Sequence, residues 1–310
     1  MGDEGQLPPV GTSESPALSA EYLSHHFAMI DFTVVGLTSV VRQQANSGIL
    51  ANATHIREAQ VNEFLPTIDL NSFQDTQAVP GDELIEKIDS AYSKFGADEV
   101  MIVTRSNKRA NLYNQHIRNS ILYMEEELCG GDLVMVVKNN YYWLDPLSQA
   151  GFIANGELLK IHRVKRIETV YNVRFARLEV SLIDYPEMDR FETIAFMETL
   201  TIEEPNLKRA FLKELFFEIE KDFEYEKKKQ NRYQAIMKSP YFNALQIKFA
   251  YAVTCHKSQG GQWSVVFVDH GYIEPTQLDN SFLRWLYTAT TRATDQLYFV
   301  NLLPELVEEN

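Results

Sequence analysis

One polar turn in this chain combines residue types that are suited to phosphate binding. The segment Thr254-Cys-His-Lys-Ser-Gln-Gly-Gly-Gln262 places two adjacent glycines among short hydroxyl and amide side chains, and apolar, strand-forming runs flank it on both sides. A glycine-containing polar loop after a strand can offer backbone N–H groups and small side chains to a phosphate. By spacing alone, an ordinary strand–turn–strand explains the same segment equally well.

A second turn is rich in serine and asparagine. A strand predicted over Glu99–Thr104 runs into Arg105-Ser-Asn-Lys-Arg109, and a helix is predicted from Ala110 to about Glu126. Such a turn at the carboxyl end of a strand is a natural phosphate or ribose contact. Helix capping by Ser106 or Asn107 is the competing interpretation, and the two roles are compatible.

Further elements are predicted around these turns. Ser47 is predicted to cap a helix with apolar positions at Ile49 and Ile56. Short alternating strands between residues 128 and 200, with a hairpin-type turn at Asn155-Gly156, predict a small barrel. The segment Thr169–Ile183 reads as one alternating stretch with a bulge near its middle. Residues 205–238 read as helical.

Four sequence motifs together resemble those of superfamily 1 DNA helicases of the RecD and Pif type. They are Gly2-Asp-Glu-Gly-Gln-Leu-Pro-Pro-Val10, Leu37-Thr-Ser-Val-Val-Arg-Gln43, the turn at 254–262, and Leu286-Tyr-Thr-Ala-Thr-Thr-Arg-Ala293. The resemblance extends from residue 2 to about residue 300, apart from poorly matched insertions at 59–98 and 186–240. It implies the carboxyl-terminal motor half of such an enzyme.

The resemblance also implies an architecture. We expect an α/β fold with a RecA-like domain of the P-loop NTPase type, without a Walker A motif, and with an inserted SH3-like β-barrel and a helical insertion. Residues 1–20 would be a flexible segment carrying the end of the first motor domain. Residues 21–127 and 241–310 would form the second RecA-like domain, residues 128–200 the barrel, and residues 201–240 the helical insertion.

The resemblance assigns the nucleotide contacts. Arg42 and Arg292 would reach the γ-phosphate of ATP held by another domain, as planar multi-donor groups suited to phosphate oxygens. A surface ion pair at Arg42, or a helix-terminal charge at Arg292, is the plainer interpretation of either residue alone. Gln6 would sense the phosphate, and Gly260 and Gln262 would contact the nucleotide. Many relatives carry Ser-Glu where Gly261-Gln262 stands, which leaves the nucleotide preference open.

The resemblance also assigns contacts to single-stranded DNA. The side chains expected to hold the DNA backbone, without reading its sequence, are Ser106, Asn107, Asn114, Arg118, Thr254 and His256. Asn114 and Arg118 match an Asn-x-x-x-Arg pattern on the helix that follows the serine-rich turn. The basic run at 227–229 is a further candidate, although a solvated helix end explains it as well.

The implied cofactor is ATP with Mg²⁺, and the metal ligands are expected on the first RecA-like domain, so no metal site is expected in this chain. The chain alone is therefore expected to be inactive. Expected partners are single-stranded DNA and the first RecA-like domain, with nuclease or recombination subunits as further candidates; no membrane partner is expected. The rival hypothesis is a non-enzymatic DNA-binding or scaffold module with a degenerate helicase fold. A Walker A motif upstream of Met1 would favour the motor, and a native start at Met1 the module.

Composition limits these hypotheses. The 310 residues carry 43 acidic and 29 basic side chains, a net charge of −14, so any DNA contact is expected to be narrow. The two cysteines, Cys129 and Cys255, are too few for a disulfide framework or a zinc site, and buried free thiols are expected. Because no signal peptide or long apolar run is present, a cytoplasmic location is expected.

Overall fold

The computed structural model describes residues 2–27, 33, 35, 36 and 47–307. The chain divides into two compact units, Met1–Ser106 with Val253–Asn310 and, separately, Asn107–Ala252. Arg42 lies outside the described residues.

The helices and strands are numbered in chain order. The helices are α1 (Ala20–His26), α2 (Gly48–Asn62), α3 (Leu84–Phe95), α4 (Asn107–Ser120), α5 (Arg209–Lys221), α6 (Lys229–Met237), α7 (Cys255–Ser258) and α8 (Asn280–Thr290). The strands are β1 (Thr76–Val79), β2 (Val100–Thr104), β3 (Leu133–Val136), β4 (Leu158–Val170), β5 (Val173–Leu182), β6 (Phe191–Phe196), β7 (Leu245–Phe249), β8 (Ala252–Thr254), β9 (Trp263–Asp269) and β10 (Ala293–Val300).

The first unit is organised around a five-stranded sheet with the strand order β1-β10-β9-β2-β8. Neighbours from β1 through β10 and β9 to β2 run parallel. Every residue of β2 is buried, as is most of β9, which agrees with parallel strands covered on both faces. The predicted α/β fold with a parallel sheet is confirmed.

The second unit contains a closed barrel of the strands β3-β4-β5-β6-β7. Its pairs are antiparallel, except that β6 and β7 run parallel. The predicted small barrel is confirmed. Its last strand, β7, belongs to a segment that was predicted to lie in the RecA-like domain. The barrel is therefore formed by two separate stretches of the chain.

Two features of this unit differ from the sequence expectation. Thr169–Ile183 is not one strand, because Tyr171 and Asn172 both adopt positive φ and turn the chain from β4 into β5. The register shifts lie in β4, between Ile161 and Arg163 and again between Val164 and Arg166. The helical stretch is two helices, α5 and α6, whose apolar residues pack with the barrel strands in one cluster.

Cys255 is buried and Cys129 is partly exposed, and both are free thiols. Among the residues that the structure describes, no helix has both the length and the apolar content needed to span a bilayer.

Candidate functional site

Arg292 lies just after α8 and is turned into the protein. The residue is only 2% exposed. Its Nε donates to the Thr288 carbonyl at 3.0 Å, one terminal nitrogen donates to the Gly261 carbonyl at 3.0 Å, and the other to the Thr291 hydroxyl at 3.0 Å. The guanidinium therefore joins the end of α8 to the glycine turn.

The glycine turn presents its tip to solvent. Gly260 and Gln262 are exposed, and Gly260 has a φ of +87°, a conformation that favours glycine. A Cβ at Gly261 would come within 2.4 Å of the Trp263 ring, so this position requires the missing side chain. Burial raises the pKa of the Cys255 thiol, which keeps it protonated and unreactive.

The amino-terminal motif packs on the same part of the first unit. The backbone N–H of Leu7 donates to the Thr288 hydroxyl at 2.9 Å, and the Gln259 side chain donates to the Leu7 carbonyl at 2.7 Å. Because the Thr288 carbonyl also accepts from Arg292, this threonine connects the amino-terminal motif to that arginine. The structure thus brings the segments of Gln6, Gly260 and Arg292 together.

Asp3 anchors the same segment through several donors. Its carboxylate accepts from the Tyr287 hydroxyl at 3.0 Å and from the Gln6 amide at 3.3 Å, and lies 3.6 Å from Arg57. Burial, and then the neighbouring Asp3 charge, raise the pKa of Tyr287, so its hydroxyl remains a donor. Gln6 is therefore held by its side chain, and its backbone N–H also donates to the Asp3 carbonyl at 3.2 Å.

The Ser106 and Thr254 segments lie side by side. The buried hydroxyl of Thr104 lies within 3.1 Å of the Ser106 carbonyl and 3.3 Å of the Val253 carbonyl, and so joins the two chain segments. Ser106 is exposed and Thr254 is half-buried. Asn107 is the first residue of α4. The segments of Ser106 and Thr254 therefore lie next to each other where β2 and β8 end.

His256 lies in α7, two residues after Thr254. The residue is exposed, yet the surrounding protein removes part of the hydration of the imidazole and lowers its pKa. The ring is therefore neutral near pH 7 and acts as a hydrogen-bonding group there.

Asn114 and Arg118 have structural roles in place of the predicted DNA contacts, because both are buried in the second unit. The Asn114 amide donates to the Phe249 and Ala252 carbonyls and accepts from the Ala252 N–H. Arg118 forms a two-pronged ion pair with Asp132 at 2.8 and 3.0 Å. Neither side chain presents its donors at the surface.

Part of this chain matches a known protein family. Residues 249–300 match the family described as UvrD-like helicase C-terminal domain. The resemblance to the carboxyl-terminal half of superfamily 1 helicases is confirmed for these residues. The matched segment runs from the end of β7 to the end of β10 and contains both the glycine turn and Arg292.

The individual proteins that resemble this chain share little sequence identity with it. An uncharacterized protein of Acanthamoeba polyphaga mimivirus is 23% identical, covering 97% of this chain and 68% of its own length. A Bacteroides Pif1 helicase, solved with ADP-AlF3 and single-stranded DNA, is 14% identical with a TM-score of 0.47 and covers 100% of this chain. The Pif1 helicase of Candida albicans is 12% identical over 88% of the chain, with a TM-score of 0.38. The chain spans 63% of the Bacteroides helicase and 57% of the Candida helicase.

Two threonines that connect the segments of this site, Thr288 and Thr104, were not singled out from the sequence. Thr288 lies within the matched Leu-Tyr-Thr motif, four residues before Arg292, and that one-turn spacing was an available signal. Thr104 ends a buried strand and gave no comparable sign. No group of three or more His, Cys, Asp or Glu side chains suited to a metal ion occurs in the described part of the chain.

Proposed function

We propose that this chain is the second motor domain of an ATP-dependent DNA helicase of the RecD type. It would supply Arg292 to ATP held by a first RecA-like domain and would hold single-stranded DNA at the edge containing Ser106 and Thr254. The observation that carries the proposal is a series of hydrogen bonds that runs from Leu7 through Thr288 to Arg292 and Gly261. These bonds join three segments whose sequences resemble helicase motifs.

The chemistry assigned to Arg292 is neutralisation of charge on the transferring phosphoryl group. Its hydrogen-bond partners include two neutral carbonyls and a hydroxyl. Such bonds contribute only about 0.5–3 kcal/mol each, so phosphate oxygens can compete with them through charge-assisted, two-pronged contacts. In enzymes that use an arginine in this way, it accelerates phosphoryl transfer by about 10³- to 10⁵-fold. Arg42 is proposed for the same role.

The remaining nucleotide contacts belong to the same proposal. Gln6 would sense the γ-phosphate, and the exposed tip residues Gly260 and Gln262 would contact the nucleotide. Mg²⁺ would be held by the first RecA-like domain, as the family resemblance implies. Nuclease or recombination partners, a role in DNA repair and a cytoplasmic location are further parts of this proposal, based on the family resemblance.

We propose that uncharged side chains make the contact with single-stranded DNA. Ser106, Asn107, Thr254 and His256 can donate to phosphate oxygens without reading bases. If one motor domain holds DNA while the other moves on ATP binding, repeated closure would move the strand past the protein. Thr104 would be a positioning residue, because it holds the Ser106 and Val253 carbonyls in place.

The decisive experiment is ATP turnover by the whole helicase with Arg292→Ala, measured with and without single-stranded DNA. We expect turnover to fall by about 10³-fold or more while ATP binding is kept. Arg284→Ala is the matched control, since Arg284 lies on the same helix and donates to the Ser13 carbonyl. Unchanged turnover in the folded Arg292→Ala protein would disprove the assignment.

A second candidate is a non-enzymatic DNA-binding or scaffold module. The burial of Arg292 and its three protein acceptors favour it, because they give this residue a structural role that needs no nucleotide. On this hypothesis the chain binds single-stranded DNA, and Arg292→Ala lowers stability without any change in turnover per folded molecule.

A further inference from the structure

A groove of about 330 Å³ lies in the first unit, between the end of α2 and the start of α8. We call it the α2–α8 groove. Its lining includes the apolar residues Phe64, Leu65, Leu278 and Leu283 and the acidic residues Glu63 and Asp279. A space of this size, at the lower end of the ~300–1,000 Å³ range of ligand pockets, suits a few side chains of a partner.

The chain that leaves α2 exposes three large apolar side chains within five residues. Val61 is 78% exposed, Phe64 is 39% exposed and Leu65 is 40% exposed. The Phe64 ring lies against His55 of α2, with ring centres 5.4 Å apart. Exposed apolar side chains that are grouped beside a groove are typical of surfaces that bind another protein.

The groove carries negative charge. Asp279 is the N-cap of α8, and its carboxylate accepts from the Phe282 N–H at 2.9 Å. Glu63 is exposed, and its carboxylate makes no hydrogen bond or ion pair with the residues that the structure describes. Glu63 also lies at the carboxyl end of α2, where the partial negative charge of the helix carbonyls disfavours a carboxylate.

The arginines of these two helices have other partners. Each helix contains a single arginine and no lysine. Arg57 lies 3.6 Å from the Asp3 carboxylate, and Arg284 donates to the Ser13 carbonyl at 2.8 Å. The last turn of α2 has no basic side chain. The negative charge at Glu63 is therefore available to a cation from a binding partner.

Glu63 also has an unfavourable backbone conformation. Its φ of +56° and ψ of +44° lie in the left-handed helical region, which favours glycine or asparagine at the end of a helix. Glutamate at this position therefore costs the free protein both conformational and electrostatic free energy. A residue that is unfavourable in both respects fits a position whose side chain serves binding.

We propose that the α2–α8 groove is a docking site for a basic amphipathic segment of another protein. Apolar side chains of that segment would enter the groove beside Phe64 and Leu65, and a lysine or arginine would pair with Glu63. The groove lies outside the four motifs that resemble those of helicases. Charge favours this occupant over nucleic acid or an anionic membrane, because both of those have the same sign of charge as the groove.

The test measures binding of a fluorescent helical peptide with leucines on one face and lysines on the other to the 310-residue chain. Two matched probes are a scrambled peptide of the same composition and a peptide in which glutamates replace the lysines. We expect the leucine–lysine peptide to bind at least about 10-fold more tightly than either of them. Equal binding of the scrambled peptide would show only a general attraction to an acidic protein and would overturn the proposal.

Two variants locate the contact. Phe64→Ala should weaken binding of the leucine–lysine peptide about 5- to 30-fold, as expected for an apolar contact within an interface. Glu63→Lys should weaken it about 2- to 10-fold, because the charge at the edge of the groove is reversed. Tyr272→Ala is the matched control, since Tyr272 is exposed in the same unit and does not line the groove. Binding that neither groove variant weakens would overturn the proposal.

Thermal unfolding of the free chain separates binding from a structural role of Glu63. Glu63→Lys should keep or raise the Tm, because a cation at the end of α2 interacts favourably with the helix dipole. Glu63→Gly should raise the Tm by about 1–4 °C, since glycine adopts this φ without strain, and should also weaken peptide binding. A lower Tm in both variants would show that Glu63 stabilises the fold and would overturn the proposal.

Three further results would identify a different occupant, and each would overturn the proposal. Displacement of the peptide by oligothymidylate would assign the groove to DNA. Loss of peptide binding in the whole helicase would assign the groove to the first RecA-like domain. Dimerisation of the 310-residue chain that Phe64→Ala abolishes would assign it to a second copy of this chain.

Discussion

Arg118 and Asp132 form a buried ion pair that also organises its neighbours. Asp132 accepts from the Cys129 N–H at 2.7 Å and from the Tyr251 hydroxyl at 3.0 Å, and the Arg118 guanidinium lies 4.2 Å from the centre of the Phe249 ring. Removing one partner leaves the other charge buried and unpaired. We therefore expect Asp132→Ala to lower the free energy of unfolding by about 3–5 kcal/mol, measured by urea denaturation.

A surface pair in the same unit provides the comparison. Arg174 and Glu127 are 46% and 45% exposed, so Arg174→Ala should cost less than about 1 kcal/mol. If Asp132→Ala costs no more than this control, the ion pair between Arg118 and Asp132 has no special structural importance.

The sequence could predict only part of this arrangement. The spacing of Asn114 and Arg118 places them on one face of a helix, and α4 was predicted. Whether that face is buried depends on Asp132, Phe249 and Ala252, which lie outside the helix. A local pattern holds no information about such distant partners, so two structural residues resembled surface contacts.

His270 gives a pH-dependent prediction for the first unit. The residue is buried, and desolvation lowers its pKa, with a smaller contribution from Arg105, while the Gly271 carbonyl and Asp269 oppose the shift. As the pH falls below about 6.5, the unfolded chain takes up this proton before the folded chain does. The free energy of unfolding should therefore decrease from pH 7 to pH 5.

The variant His270→Asn isolates that contribution. Asparagine can keep a donor near the Gly271 carbonyl, which lies 2.6 Å from the histidine Nδ1, but it does not titrate. The loss of stability between pH 7 and pH 5 should be smaller in the variant, by about 1.4 kcal/mol for each unit by which the pKa is lowered. Equal pH dependence in both proteins would contradict the prediction.

At the scale of elements, helix α2 is capped from a distant loop. The Asp75 carboxylate accepts from the Gly48 N–H at 2.9 Å and from the Ser47 hydroxyl at 2.7 Å. A carboxylate at a helix amino terminus satisfies an unpaired donor and interacts favourably with the helix dipole. Asp75→Ala should cost about 1–2 kcal/mol, and Asp75→Asn less, since an acceptor remains.

Hydrogen exchange provides the measurement for α2. The amides of its first turn should lose protection in Asp75→Ala, whereas Asp89→Ala, a change on the exposed face of α3, should leave them unchanged. If the first turn is equally protected in both variants, Ser47 alone is a sufficient cap.

Elements that depend on neighbouring residues could be predicted from the sequence, whereas contacts between residues far apart in the chain could not. The start of α2 was predicted because Ser47 and the apolar positions are local signals, and the structure confirms Ser47 as the N-cap. The capping by Asp75 and the pairing of β7 with β3 were not predicted, because each depends on residues far apart in the chain. The turn at Tyr171-Asn172 was also missed, since it contains no glycine.

At the scale of the whole molecule, charge is divided unevenly between the units. Residues 107–252 contain 21 basic and 21 acidic side chains, whereas the rest of the chain contains 8 basic and 22 acidic side chains. The whole net charge of −14 therefore belongs to the unit with the parallel sheet. Any phosphate contact there has to depend on hydrogen bonds and a few cations, because a broad basic surface is absent from its composition.

This distribution predicts a weak salt dependence of DNA binding by the 310-residue chain. On a single strand each neutralised phosphate contributes about −0.7 to the slope of log K against log salt, so one to four contacts give a slope between about −1 and −3. Several cations of the barrel are already paired, including Lys165 with Glu192 and Arg166 with Glu168. A slope steeper than about −5 would require about seven phosphate contacts. That result would contradict a narrow DNA contact. It would indicate that the basic side chains of β4, where Lys160 and Arg163 are exposed, also contact phosphates.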